Sequence, residues 1–566
     1  MSAFEGILFG ILGVLIIAAT ATIAPRLKVA GPLILVGIGI LASYLPFIPT
    51  VAVNPEWILA GVLPPLLYSA AVSLPAVEFR RDFVPIAGLA VVLVFVSSIT
   101  LGGFFLIVIP GLGLPLAIAL GAILSPTDAV ATAVAKRLGV SRRVTTMLEG
   151  ESLLNDASSL VILKTAVAAF SLSAAGTSTA FSAVGEFAWA VIAAIIVGGL
   201  AGFLNLRVRS WLRGSATSTA VGFVVPFVAY IPTEAIGGSG LVAAVVAGIV
   251  TGQGAARWFT PEQRMSDHAT WRTVELLLEG GVFLVMGLEM SEIVTGTATG
   301  QFGLAHGLAV AAAALGILLL VRTGFVTLLL RVQSLRAHPR RRHRLNEFAE
   351  RIDAHEHTGS RRTGVLRRRL ARMFADLDYY RASHLGWKHG TVIVWGGMRG
   401  VVTLAAAQTL PEDAPFRHFL IFVAFVVALS SLMLQGLTLP VVVRMLNLRD
   451  GEDSHLVGSE HEQIERELDR SVEHALALGS LSRRDGTPFA AEFARRVAPR
   501  YLRLSDMDDD EANDIIELRL ALVRTRRARL ISLSSDGTFG SASLRRALTE
   551  LDATQLSLEI RLEGSD

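Results

Sequence analysis

Thirteen apolar stretches dominate this chain, each near the ~20 residues that a helix needs to cross a bilayer. They cover about residues 4–24, 31–48, 56–75, 84–107, 112–136, 147–171, 182–204, 214–232, 238–255, 271–291, 302–330, 389–410 and 417–443. Within hydrocarbon the backbone must satisfy its own hydrogen bonds, which stretches of this length do as helices. Composition points the same way: 52% of the 566 residues are hydrophobic and 17% charged, where ~25% charged is usual. Only 32 of the 99 charged residues fall in residues 1–330. That excludes a string of soluble domains there. The expected fold is an all-α polytopic membrane protein with a polar cytoplasmic tail. The first stretch has no basic residue before Arg26, so it reads as a span rather than a cleaved leader. Cysteine is absent, which excludes disulfides, thiol catalysis and cysteine-bound zinc.

The loops set the orientation, because basic residues collect on the cytoplasmic side. Arg26 and Lys28 follow segment 1, and Arg80 and Arg81 follow segment 3. Lys136, Arg137, Arg142 and Arg143 follow segment 5. Arg207, Arg209 and Arg213 follow segment 7, and Arg257, Arg264 and Arg272 follow segment 9. The loops after even-numbered segments carry no Lys or Arg except Arg417 at the edge of segment 13. The N-terminus is therefore expected outside and the C-terminus inside. Residues 331–388 form a basic cytoplasmic loop of net charge +9, and the stretch 445–566 carries −7. The loop reads either as a lipid-headgroup contact or as a solvated linker. The tail reads as a small helical or regulatory domain able to pair with the loop. We divide the chain at 1–445 and 446–566.

Charges within the spans are costly and usually functional. At ~1.5 Å per residue, Asp128 in segment 5, Asp156 in segment 6, Arg322 in segment 11 and Arg399 in segment 12 all fall near the middle of a ~30 Å core. Pro126, in Ser125-Pro126-Thr127-Asp128, breaks its helix by freeing carbonyls. Gly396-Gly397-Met398-Arg399-Gly400 is weak helix too. Two broken helices, seven segments apart and so oppositely directed, suggest a transport site between inverted repeats. Ser152, Asp156 and Ser159 share a helical face with Asn155 adjacent, while Glu151 lies four residues from Asn155. With Thr127 and Asp128 opposite, these oxygens suit a hard, small cation.

Other polar groups have plainer readings. Lys164 is expected to snorkel or to pair with Glu186. Glu275 and Glu279 read as an interfacial helix end or a polar entrance funnel. Glu234 and Glu289 sit near outer ends and need no special role. His355-Glu356-His357 lacks a third ligand and is not read as a metal site. A cation channel and a sodium-coupled solute symporter remain open as alternatives. An intramembrane aspartyl protease is disfavoured, because Leu-Leu-Asn precedes Asp156 where a glycine-rich motif is needed.

Ser125-Pro126-Thr127-Asp128-Ala129-Val130, Leu148-Glu149-Gly150-Glu151-Ser152-Leu153-Leu154-Asn155-Asp156-Ala157, Gly396-Gly397-Met398-Arg399-Gly400-Val401 and Leu63-Pro64-Pro65-Leu66-Leu67-Tyr68 together resemble the bacterial monovalent cation/proton antiporters of the NhaP/NHE type. The resemblance spans about residues 1–445. It implies the NhaA-like fold: a core domain from segments 4–6 and 11–13, and a dimer domain from the rest. It implies that Asp156 binds cation and proton in alternation. Asn155 and Asp128 would stabilise the helix crossing, Thr127 and Ser152 would lend oxygens, and Glu151 would pair with Arg322 in preference to Arg399. Pro126, Gly396, Gly397 and Gly400 would form the crossing. The Asn155–Asp156 pair is the variant associated with electroneutral exchange. The activity implied is exchange of Na⁺, with K⁺ or Li⁺ as alternatives, for H⁺ in a plasma-membrane homodimer, serving pH and sodium homeostasis. It is a transporter, not an enzyme, with no cofactor, no resident metal and no nucleic-acid partner. One departure stands out: relatives often carry an acid just after the Pro-Pro pair of segment 3, where this chain has Tyr68-Ser69-Ala70-Ala71.

Overall fold

In the computed structural model, the described residues are 3–27, 29–45, 55–128, 130–173, 180–212, 214–336, scattered positions between 370 and 380, 385–448, 452–490, 492–494 and 509–563. Lys28, Ala129, Arg213, most of the 331–388 loop with His355-Glu356-His357, and tail residues 495–508 lie outside them.

Among the described residues, each apolar stretch falls mainly on helix. The order is α1 (Ala3–Leu27), α2 (Gly31–Ser43), α3 (Leu63–Ser73), α4 (Ala76–Arg81), α5 (Phe83–Ala87), α6 (Leu93–Val108), α7 (Leu114–Leu124), α8 (Val130–Arg137), α9 (Arg142–Ser173), α10 (Ala180–Arg209), α11 (Ser215–Ala235), α12 (Gly240–Trp258), α13 (Pro261–Leu288), α14 (Met290–Ala298), α15 (Gly303–Arg336), α16 (Trp387–Trp395), α17 (Val401–Gln408) and α18 (Arg417–Met445). The tail adds α19 (Glu452–Leu478), α20 (Asp509–Asp536) and α21 (Ser541–Glu563). Among the described residues, eight helical stretches are long and apolar enough to cross a membrane unaided. Three shorter apolar helices add to them, one of which is α7; the two broken segments are divided between α7 and α8 and between α16 and α17.

Local chemistry explains the irregular parts. A π-helical turn, Trp57–Val62, precedes α3. Pro64 and Pro65 lack the N–H groups that would meet the carbonyls of Ala60 and Gly61, so the turn widens. The helix α13 starts ten residues before the predicted segment. Thr260 and Gln263 cap it reciprocally and Pro261 follows the cap; this capping-box pattern is legible in sequence.

Lipid tails give helices no hydrophobic reason to associate, so membrane helices pack by close backbone approach at small residues. A Cβ on Gly252 or Gly248 of α12 would strike the backbone carbonyls of Val72 or Tyr68 on α3. Apolar side chains on α1 and α10, such as Ile7, Ile11, Ile196 and Leu200, face outward. The tail helices pack on one another around their own apolar clusters, including Ile464, Leu468, Ile516, Leu520 and Leu551.

Candidate functional site: a crossing of two broken helices

Helix α7 stops at Leu124 and α8 begins at Val130; α16 stops at Trp395 and α17 begins at Val401. The two gaps meet. The Asp128 N–H donates to the Met398 carbonyl at 2.7 Å, a backbone bond between unwound segments that a continuous helix would forbid.

Each broken end has an exposed dipole, and each is answered by a charge. Arg399 Nε donates to the Leu124 carbonyl at the end of α7, at 3.1 Å. Arg322 donates through Nε and Nη2 to the Ile393 carbonyl near the end of α16, at 3.1 and 2.8 Å. The Arg399 N–H is itself held by Ser431 Oγ at 2.7 Å. At the opposite, positive ends sits Asp128. Its Oδ1 accepts from the Val130 N–H at the start of α8. Its carboxylate also fills the space that a Cβ on Gly400 would need at the start of α17. Similarly, a Cβ on Gly397 would meet the Arg322 guanidinium, and one on Gly396 the Leu148 side chain. Pro126 lines the cavity beside the break.

Glu151 and Arg322 form a buried bidentate pair, with Nη1 on Oε1 and Nη2 on Oε2 at 2.9 Å. Arg399 makes no contact with Glu151; its Nη1 donates to the Gly397 carbonyl instead. Asn155 Nδ2 donates to Thr127 Oγ1 at 2.7 Å, and the Thr127 hydroxyl donates to Glu151 Oε1 at 3.3 Å. Asn155 is wholly buried and thereby ties α9 to the broken stretch. Ser152 donates to the Glu149 carbonyl and lines the cavity. Ser159, the third member of the predicted face, turns back to the Asp156 carbonyl at 2.9 Å.

Asp156 differs from its neighbours. It is 8% exposed, and among the described residues no hydrogen bond or ion pair engages its carboxylate. It looks into a cavity of about 310 Å³ shared with Thr127, Asp128, Ser152, Glu275 and Glu279. That cavity extends to Lys136, Glu149 and Ser73, which lie at the basic-loop ends of α8, α9 and α3. The opposite end of α9 borders a separate cavity of about 230 Å³, lined by Lys164, Glu186, Tyr230 and Glu234.

Two readings from sequence change here. Lys164 pairs with Glu234 at 2.6 Å rather than with Glu186; the pair joins residues 70 positions apart, and only helix packing decides which acid is reached. Glu275 and Glu279 are not simply an interfacial helix end, because both line the cavity that holds Asp156. Sequence reasoning also missed the Ser69 hydroxyl, which donates to Glu275 Oε1. The i, i+4 spacing of Glu275 and Glu279 was the available signal that those two share a face.

A sequence model described as "Sodium/hydrogen exchanger, transmembrane" matches residues 12–445. The chain is 26% identical to an uncharacterized Na⁺/H⁺ exchanger of Mycobacterium tuberculosis, over 98% of this chain and 97% of the relative. It is 29% identical to the uncharacterized Na⁺/H⁺ exchanger YjcE of Escherichia coli, over 93% and 94%. The solved sodium proton antiporter MjNhaP1 of Methanocaldococcus jannaschii superposes with a TM-score of 0.58 at 18% identity, over 79% of this chain and 99% of that one.

Proposed function

The chain belongs to the sodium/hydrogen exchanger family and is a multi-pass cation/proton antiporter; we propose that Asp156 carries Na⁺ and H⁺ in alternation, one for one. The observation that carries this reading is a buried acid with no hydrogen-bond or ion-pair partner among the described residues, facing a cavity beside two broken helices.

Charge balance supports both the alternation and the stoichiometry. Around the crossing, the fixed charges of Asp128 and Glu151 are matched by those of Arg399 and Arg322. Asp156 adds one uncompensated negative charge. An empty site is therefore costly to carry through an apolar barrier. A proton or a single cation removes that cost equally, so the core moves only when occupied and exchange is obligatory. One exchangeable carboxylate gives one cation per proton, which is electroneutral. Thr127 and Ser152 supply further oxygens for a hard cation. Asn155 and Asp128 hold the crossing in shape.

The cavity opens toward the basic loops, which supports an inward-facing state with the N-terminus outside and the C-terminus inside. We place the protein in the plasma membrane as a homodimer, acting in pH and sodium homeostasis; the family resemblance supports that assembly. The 446–566 stretch is then a cytoplasmic domain attached to a 1–445 transport domain.

The test uses proteoliposomes with an inside-acid gradient. Na⁺, K⁺ or Li⁺ is added outside and lumenal pH is followed, with and without valinomycin clamping the voltage. Wild type should alkalinise with its cation, insensitive to voltage, and Asp156→Asn should not respond. Transport persisting in a well-folded Asp156→Asn protein would sink the assignment. Voltage-dependent exchange would sink the one-for-one count.

A further inference from the structure

The cavity has a second acidic wall that this mechanism leaves unused. Glu275 and Glu279 stand one turn apart on α13, and both face the cavity opposite the Pro126–Asp128 break. Carboxylates at i, i+4 repel one another, so the arrangement is unfavourable until something positive lies between them. The described bases nearby do not fill that place. Lys136 is paired with Glu149, and Arg137 reaches Glu279 only through space, while the nearby Asp128 carboxylate adds to the repulsion. The Ser69 hydroxyl fixes one oxygen of Glu275 from α3. Glu279 is solvent-accessible though protein surrounds most of it, as befits a side chain lining an open vestibule.

Independent polar signals point to a ligand in the same space. Asp156, 8% exposed, lines it and has no hydrogen-bond or ion-pair partner among the described residues. Thr132 and Thr403 also line it, and their buried hydroxyl oxygens have no hydrogen-bond partner among the described residues. The acidic wall lines the same cavity as the Lys136–Glu149 pair and Asp156.

We propose that Glu275 and Glu279, with the Ser69 hydroxyl, form a second monovalent-cation station at the inner mouth, which loads and unloads the cation that Asp156 carries. Carboxylate and hydroxyl oxygens are the ligands a hard cation takes. The station rests on the reading of this cavity as the transport path, but it binds cation in its own right.

Two measurements test it. In proteoliposomes, Glu275→Gln and Glu279→Gln should each raise the KM for Na⁺ about tenfold and leave the maximal rate within about twofold. Glu275→Asp and Glu279→Asp, which keep the charge, should stay near wild type. Ser69→Asp placed in the Glu275→Gln background should recover most of the affinity, since residue 69 touches the same spot. In detergent, equilibrium dialysis with radioactive Na⁺ should show binding retained by Asp156→Asn and lost when Glu275→Gln and Glu279→Gln are added. An unchanged KM in the Gln variants, or a lower rate at unchanged KM, would overturn the station. So would an absence of Na⁺ binding to Asp156→Asn. If wild type moves no protons with any cation, the exchange reading fails instead, and dialysis still decides whether the station exists.

Discussion

Arg322 shows how one residue is made indispensable by what it faces. Its guanidinium divides between the Glu151 carboxylate and the Ile393 carbonyl, and both side chains are almost wholly buried. Such a pair adds little net stability, because desolvating two charges offsets their attraction. Breaking it is another matter: a lone carboxylate remains in a dry site. Arg322→Met should therefore cost about 3–5 kcal/mol. Arg322→Met with Glu151→Gln should recover a large part of that cost. Thermal unfolding in detergent, run as a double-mutant cycle, reads the difference; equal destabilisation of single and double variants would show that the pair is not the cause. The four midplane charges were visible in the sequence because charge is rare in apolar spans. Their partners were legible only in part. Arg399 instead answers the Leu124 carbonyl, and a backbone acceptor leaves no mark in a sequence.

At the scale of the element, the two breaks were the easiest features to read and the most consequential. Pro126 removes a donor, and Gly396, Gly397 and Gly400 remove helix propensity. What the sequence does not display is why each glycine is needed at its place. Gly400 sits where the Asp128 carboxylate must lie, and Gly397 where Arg322 must pass. The Gly400→Ala variant should therefore displace Asp128 from the ends of α8 and α17 and abolish exchange, while Gly103→Ala, with nothing within 4 Å, should be silent. Comparing the two in the same vesicles separates a local fit from a general glycine effect, and equal activity would refute the packing argument. The limits of legibility follow the same line. Element positions come from apolar length and caps, which are local. The contact of Ser69 with Glu275, 206 positions away, depends on how α3 meets α13, and periodicity carries no information about that.

For the whole molecule, the question is how the tail meets the membrane part. Opposite net charges suggested that it pairs with the basic loop, and among the described residues Arg372 of that loop donates to the Asp536 carbonyl. Further anchors lie elsewhere. Glu78 of α4 accepts from the Ser541 N–H at 2.9 Å, and Ser541 Oγ accepts from the Val77 N–H at 3.2 Å. Asp552 of α21 binds Arg264 of α13 and Arg527 of α20 together. Arg545 donates to the Ser73 carbonyl at 2.6 Å, and Ser73 lines the cavity. One helix thus grips both α4, which leads into the proposed moving core, and α13, which the same proposal assigns to the other domain. The alternating access proposed above needs those two to slide, so the grip should slow them. Asp552→Ala leaves two part-buried arginines without their carboxylate, and hydrogen bonds to charged groups are worth about 1.5–3 kcal/mol each. The expected result is a several-fold faster maximal rate at unchanged KM for Na⁺, with the tail more readily cleaved by added protease. A slower rate with intact protein would mean that the tail supports the moving core rather than restrains it.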